Sequence, residues 1–256
     1  MIFRRTKKRS DEPELDDAAT DEPTDDLDAD DAATADEADG AEAADGETVL
    51  DVEALDARDW RAEGPFDIAE IDEDDDLTGT PQMPRIDLGA VVLAGFPGAE
   101  LRLQMSEETQ QIVSAMLIHG DSALELGAYA APRSGGLWSE LREEIMAAAV
   151  EAGGSGSLAE GPFGVELRRL VPVSTPEGEQ GYQPSRMWVA EGPRWLLRGI
   201  VYGQAALEDG VESPVAEMMA AFRAVVVRRG EEAMAPGDLL PLTMPQNLVP
   251  AQEQPA

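Results

Sequence analysis

The chain has 256 residues, no cysteine, and 53 acidic against 19 basic side chains, which gives a formal net charge of −34. The lack of cysteine excludes disulfides, thiolate zinc sites, iron–sulfur clusters and cysteine nucleophiles, and we predict no cofactor. The charge argues against duplex nucleic acid as a partner, because affinity there depends on neutralising phosphates. No apolar run reaches the ~18–20 residues of a membrane-spanning helix, so we expect a cytoplasmic protein without a membrane span.

The acidic residues are concentrated at the N-terminal end of the chain. Residues 11–46 contain only two large apolar side chains, Leu15 and Leu27. Such a segment buries too little apolar surface to offset the conformational entropy lost on folding. We therefore predict a disordered tail over residues 1–46, basic at first and then acidic, and a short disordered C-terminal tail over residues 246–256.

The first ten residues carry a cluster of basic side chains. Its members are Arg4, Arg5, Lys7, Lys8 and Arg9. A basic residue near an anionic lipid surface contributes about 1 kcal/mol to binding, so one interpretation is weak peripheral membrane contact. The other is that the cluster only keeps the start of the chain in solution.

Residues 47–80 form a lariat in which apolar side chains interrupt the acidic ones. Val49, Val52 and Leu55 recur every three residues, which is typical of a short amphipathic turn. Two interpretations stay open. Either this partly ordered segment lies across its own domain, or residues 47–77, together with the acidic tail, bind a protein partner.

Two motifs that suggest chemistry fail on spacing. In the acidic run Asp72–Asp76, the positions where a calcium loop needs Gly and Glu hold Leu77 and Met83. His119 is the only histidine, and the Asp and Ser that follow it in the same tight turn cannot form a catalytic triad with it. We predict no metal site and no catalytic residue.

Residues 81–245 show the periodicities of a single folded domain. Apolar alternation predicts an antiparallel meander of strands over 86–93, 100–105, 112–118 and 123–130. Leu137, Leu141 and Ile145 then predict an amphipathic helix, which ends at Gly153 and Gly154 before a Ser-Gly linker.

The second half of the domain repeats this alternation of strands and helix. Strands are predicted over 165–173, 186–190 and 195–202, a second amphipathic helix over 214–222, and a closing strand over 224–227. This order predicts an α+β fold, with an antiparallel sheet of about seven or eight strands and two packed amphipathic helices.

The segment that opens the first helix is a candidate anion site. Gly135 and Gly136 would present free backbone N–H groups at a helix start, where the dipole favours an anion. Arg133 would add a bidentate contact to a phosphate or carboxylate. The alternative is ordinary capping, with Ser134 as the N-cap.

A second candidate site lies among the arginines of the later strands. The set is Arg168, Arg169, Arg186, Arg194 and Arg198. Arg194 and Arg198 share a strand face by their even spacing, and Arg186 on a neighbouring strand would add a third guanidinium. Such a surface would bind an acidic peptide, including the chain's own tail, or an anionic metabolite. A solvated strand face is the alternative.

Six segments carry a resemblance to a known family. They are Arg85–Gly89, Gly120–Leu124, Ala131–Trp138, Glu160–Gly164, Gly192–Gly199 and Phe222–Val227. These segments resemble an actinobacterial family, Domain of Unknown Function 3710. The resemblance implies a cytoplasmic actinobacterial protein with no established activity, and it assigns no functional residues. The element order is also loosely similar to the sandwich fold shared by Mog1 and PsbP.

Together these observations favour a non-enzymatic protein-interaction or regulatory module. Its partner is unknown and is expected to bind the acidic tail or residues 47–77. The alternative is an enzyme or sensor that binds a small anionic, phosphorylated ligand at Arg133–Gly136.

Overall fold

The computed structural model describes four ranges of the chain. These are residues 49–71, 79–80, 83–174 and 178–245. Both predicted tails, the basic N-terminal cluster and the acidic run at 72–76 lie outside these ranges.

The described residues contain four α-helices, a single 3₁₀ turn at Ile68–Glu70, and twelve strands. In chain order the helices are α1 (Val52–Asp56), α2 (Leu137–Glu151), α3 (Gln204–Leu207) and α4 (Val215–Arg223). The strands are β1 (Phe66–Asp67), β2 (Gly79–Thr80), β3 (Met83–Asp87), β4 (Val91–Ala94), β5 (Glu100–Met105), β6 (Ile112–His119), β7 (Ser122–Ala130), β8 (Ser155–Gly161), β9 (Gly164–Ser174), β10 (Gln180–Gly192), β11 (Trp195–Gly203) and β12 (Val226–Val227).

Strands β5 to β11 form one large antiparallel sheet. Their spatial order is β5–β6–β7–β11–β10–β9–β8, and each neighbouring pair runs antiparallel. The prediction of an α+β fold built on an antiparallel sheet of about seven or eight strands is therefore confirmed, with seven strands observed. None of the described helices combines the length and apolar composition needed to cross a bilayer.

A second, smaller sheet was not predicted. Its order is β1–β12–β4–β3–β2, and β1 pairs with β12 in parallel. The single strand predicted over 86–93 was wrong, because the chain reverses at Gly89, which has a φ of +80°. Only glycine adopts this conformation at little cost, so β3 and β4 form a hairpin.

The predicted Ser-Gly linker after α2 is in fact an edge strand. Residues of β8 pair with β9 along their length. The glycine content reflects close packing rather than flexibility, since a Cβ on Gly156 would lie 2.7 Å from Met146 Cγ of α2. Small residues let the helix approach this strand.

The large sheet separates two apolar layers. Its inner face packs on the smaller sheet and α4, where Trp195, Leu197 and Phe222 are buried. Its outer face packs on α2, where Trp138 and Leu196 are buried. The two predicted helices thus lie on opposite faces of the sheet.

Helix α2 covers only part of the outer face. It packs on β8, β9 and β10. Elsewhere the outer-face side chains are half exposed, and along each strand they alternate with buried inner-face neighbours. We call this uncovered area the open patch. Its members are Met116, Ile118, Ala123, Glu125, Tyr129, Arg169, Arg198 and Tyr202.

Candidate functional site

The start of α2 already binds an anion, and that anion belongs to the protein. The helix begins at Leu137, with Gly136 as N-cap at a φ of +84°. The backbone N–H groups of Gly136 and Trp138 donate to the two carboxylate oxygens of Glu191, at 2.8 and 2.9 Å. Glu191 thus takes the position where the helix dipole favours a negative charge.

The other residues of this predicted site lie around the helix start without converging. Ser134 donates weakly to the Gly135 carbonyl at 3.4 Å, so the alternative that made it the N-cap was wrong by two residues. Arg133 is exposed. An external anion at Gly136 would have to displace Glu191, and binding of a small anion at Arg133–Gly136 stays a prediction.

A groove of about 280 Å³ runs beside this helix start. The polar groups along it are paired within the protein. Trp60 Nε1 donates to the Leu55 carbonyl at 2.7 Å, and Trp138 Nε1 donates to the Val165 carbonyl at 3.0 Å. A polar ligand would therefore find few free partners among the described residues of this groove.

The described part of the lariat forms one wall of that groove. Asp56 accepts two hydrogen bonds of 2.6 Å from the guanidinium of Arg142. Leu55 is 5% exposed, and a Cβ on Gly164 would lie 2.8 Å from Trp60 Nε1. These contacts hold residues 49–71 on their own domain, whereas residues 72–77 and the acidic tail lie outside the described ranges.

The predicted surface of Arg186, Arg194 and Arg198 was wrong, because the three side chains lie in different places. Arg186 pairs with Val201 in the sheet, three residues from Arg198. Since successive residues alternate between faces, Arg186 points to the inner face and Arg198 to the outer. Arg194 lies between β10 and β11 at a φ of +62°, and its Nη2 donates to the Gly230 carbonyl at 3.4 Å.

Arg186 belongs to a closed inner-face network. The fully buried carboxylate of Glu166 accepts hydrogen bonds from Arg168 Nε at 2.8 Å, Arg186 Nε at 2.9 Å and Trp188 Nε1 at 2.6 Å. Arg186 Nη1 also donates to the Glu208 carbonyl at 2.9 Å. Arg186 is thus engaged in holding the segment after α3 on the sheet and offers no free surface to a ligand.

The open patch joins two arginines to two tyrosines. The guanidinium carbon of Arg198 lies 4.9 Å from the Tyr129 ring centroid. Tyr129 lies over Gly127, where a Cβ would come within 3.1 Å of its hydroxyl. The Tyr202 hydroxyl donates to Glu125 at 3.1 Å.

The charged groups of the open patch are partly desolvated. Burial, and next the charge of Glu125, raises the pKa of Tyr202 to about 12. Burial also lowers the pKa of Arg169, and the nearby Arg198 acts in the same direction. The Nε atoms of Arg169 and Arg198 are buried without a hydrogen-bond partner among the described residues, so their pairing is incomplete.

Sequence reasoning found the two arginines but not their setting. Glu125, Tyr129 and Tyr202 were missed because each stands alone as a polar or aromatic residue in an apolar strand. The available signal was the alternation in β7, where Glu125, Gly127 and Tyr129 fall on one face. It indicates a face that is not fully apolar, and hence not fully covered.

Comparisons with known proteins add a family. Among solved structures, the chain is similar to the solution structure of cyanobacterial PsbP (CyanoP) from Synechocystis, at 11% identity and a TM-score of 0.35, over 58% of this chain and 94% of that one. No curated protein matches the chain. The family model described as "Protein of unknown function (DUF3710)" matches residues 64–251. Because that match spans most of the sequence and confirms the resemblance of the six segments, the chain belongs to the DUF3710 family.

Proposed function

We propose that this protein is a non-enzymatic protein-interaction module and that a partner protein binds its open patch. The observation that carries the proposal is the composition of that patch. Tyr129, Tyr202, Arg169 and Arg198 are of the residue types that dominate the energy of protein interfaces, and they lie half buried on a rigid sheet.

The geometry of the open patch suits a contact surface. Tyr129 is held flat over Gly127 and under Arg198, so little side-chain entropy remains to be lost on binding. Met116 and Ile118 of the neighbouring strand add half-exposed apolar area. An apolar centre with polar groups beside it is the usual anatomy of an interface.

A non-enzymatic role is supported by the arrangement of the reactive side chains. The ring of His119 packs edge-on against Phe96, with centroids 5.4 Å apart. Within the described ranges, no group of three or more Asp, Glu or His side chains is placed to hold a metal ion. Glu166, the most buried carboxylate of the described residues, is fully engaged by Arg168, Arg186 and Trp188.

The alternative function, an enzyme or sensor for a small anionic ligand at Arg133–Gly136, has less support. Its N–H donors already bind Glu191. A cytoplasmic location stays a prediction, as does a role of the acidic tail in partner binding.

Site-specific photo-crosslinking in the source cells tests the proposal. A benzophenone amino acid in place of Ile118 is expected to give one discrete adduct with another protein. The same probe in place of Val211 serves as the matched control and is expected to give none, because Val211 is 48% exposed and follows Gly210, whose carbonyl accepts a hydrogen bond from Arg186 on the inner face. The adduct at Ile118 should disappear when Tyr129→Ala is introduced.

Two outcomes would contradict the proposal. Identical adducts from both positions would show random collision rather than a surface. An Ile118 adduct of twice the mass of the chain would show that the patch binds a second copy and not a partner protein.

A further inference from the structure

We infer that Arg169 and Arg198 form a carboxylate-binding site, and that the partner presents an acidic segment to the open patch. The inference rests on the proposed function and specifies its chemistry. It is carried by the pairing of the arginines, the charge of the patch and the apolar side chains beside it.

Most arginines of the described ranges pair with a carboxylate or a backbone carbonyl. Eight arginines of the described ranges form ion pairs with carboxylates: Arg58, Arg61, Arg102, Arg142, Arg168, Arg186, Arg223 and Arg228. Arg85, Arg194 and Arg229 donate to backbone carbonyls. Arg169 and Arg198 differ, since each is half buried and its Nε has no described partner.

An unpaired, partly buried guanidinium is costly to the fold. A polar group taken out of water loses free energy unless a hydrogen bond replaces the water. The two arginines also repel each other, as the influence of Arg198 on Arg169 indicates. A carboxylate from outside the described residues would relieve both effects at once.

Glu125 does not serve as that carboxylate. It accepts the Tyr202 hydroxyl at 3.1 Å, and although its charge opposes the lowering of the Arg169 pKa by burial, it forms no ion pair with Arg169 or Arg198 in the described structure. The patch therefore holds two positive charges and one negative charge, while the chain as a whole carries −34. It is a local cationic spot on an acidic protein.

The strongly negative chain selects what can bind there. At physiological ionic strength the screening length is about 8 Å, so a carboxylate that touches both arginines is attracted although the chain is acidic. A nucleic acid, with one charge per ~1.7 Å of duplex, would bring a long polyanion against the remaining acidic surface. A short acidic peptide segment fits the charge pattern better.

The side chains beside the arginines favour a peptide over a free anion. Met116 and Ile118 lie on β6, across β7 from Ile200 and Tyr202, and so extend the open patch beyond the tyrosine that neighbours the arginines. A segment that alternates acidic and apolar residues could place its carboxylates on the arginines and its apolar side chains on β6. Arginine is suited to this role because its planar fork binds a carboxylate through two hydrogen bonds.

Peptide titration with the full chain tests the inference. The probe is a capped peptide of alternating glutamate and leucine, and its control has glutamine in place of every glutamate. We expect the glutamate peptide to bind about tenfold more tightly than the glutamine peptide, which is the usual size of a charge-assisted contact. Arg169→Gln and Arg198→Gln should each remove most of that difference.

The matched control is Arg58→Gln, a 61% exposed arginine outside the open patch, and it should leave the affinity unchanged. Arg198→Lys should retain part of the preference for glutamate, because the charge remains while the fork is lost. Thermal unfolding of each variant checks that a lost affinity does not reflect a lost fold.

Equal binding of the two peptides, or unchanged binding by both glutamine variants, would overturn the inference. So would tighter binding of inorganic phosphate than of the glutamate peptide, since the site would then take a small anion. The Ile118 crosslink separates this failure from that of the proposed function. If the adduct persists although the chain binds the glutamate and glutamine peptides equally, a partner binds the patch without recognising its carboxylates.

Discussion

The arginines on the two faces of the large sheet differ in whether a carboxylate pairs with them. On the inner face, Arg168 and Arg186 are cross-strand neighbours that share the buried carboxylate of Glu166. On the outer face, Arg169, the next residue along β9, and Arg198 form no ion pair with a carboxylate in the described structure, and the Nε of each is buried without a hydrogen-bond partner. Both pairs come from the same strands or their close neighbours, so the difference lies in the face and not in the local sequence.

This contrast separates the arginines that stabilise the fold from those that we assign to a partner. A buried guanidinium is tolerated when an acid and carbonyls satisfy its donors, and it becomes a liability when one partner is removed. Arg186 meets that condition through Glu166 and the Glu208 carbonyl. Arg169 and Arg198 do not meet it within the described fold, which is why we assign them to a partner.

The largest effect is expected from breaking the inner-face network. Glu166→Gln removes the charge that pairs Arg168 and Arg186, and we expect the free energy of unfolding to fall by about 3–5 kcal/mol, as for other broken buried pairs. Urea denaturation measures it. Glu160→Gln is the control, because that carboxyl is 61% exposed and lies 3.7 Å from Arg58. Equal effects of the two changes would remove the contrast between the faces.

The next effect concerns the lariat. Its described residues pack on the domain, whereas the open patch is left uncovered. Leu55→Ala should lower the free energy of unfolding by about 2 kcal/mol, the low end for a buried leucine, because α1 is short and can partly adjust. Limited proteolysis should then cut near α1. Val49→Ala is the control, since Val49 is 88% exposed. If both changes leave stability and cleavage unaltered, the lariat does not hold to the domain.

A smaller effect is expected at the start of α2. Glu191→Ala leaves the N–H groups of Gly136 and Trp138 without their acceptor, and the loss of such a cap costs about 1 kcal/mol. We expect inorganic phosphate to raise the melting temperature of this variant more than that of the wild type, because the vacated position suits an anion. Equal stabilisation of both would favour an anion site at Arg133 that is independent of Glu191.

The last effect is absent at neutral pH and is expected only above about pH 10, where Tyr202 titrates in the unfolded chain. In the folded chain its pKa is about 12 rather than 10.0, so the folded state keeps a proton that the unfolded state loses. Its contribution to stability is complete below about pH 10 and declines as the pH rises toward about 12. Tyr202→Phe should flatten this part of the curve of unfolding free energy against pH. An unchanged curve would mean that Tyr202 titrates as in the unfolded chain.

Much of the fold could be predicted from period alone. Strands β5, β6 and β7 and helices α2 and α4 were found because their buried side chains recur at two- or three-to-four-residue spacing. The strand β8 was missed because its glycine content is also typical of a linker. In the structure, Gly156 is small so that Met146 can pack against it.

The site was harder to predict, because it depends on register between strands. The spacing of Arg194 and Arg198 suggested one face, but Arg194 lies outside β11. Whether Arg186 lies opposite Arg198 or opposite Val201 is decided by the pairing of β10 with β11. That pairing cannot be deduced from a single sequence, and a shift of the register by one residue would move every side chain of the strand to the opposite face.

The most direct test of the account is the stability of the full chain when Arg169→Gln and Arg198→Gln are combined. We predict that the free energy of unfolding, measured by urea denaturation, changes by no more than about 1 kcal/mol. The contact of Arg198 with Tyr129 is lost, at a cost of about 0.5–1 kcal/mol, while mutual repulsion and incomplete pairing are relieved. A loss as large as that of Glu166→Gln would show that these arginines serve the fold, and would contradict their assignment to a partner.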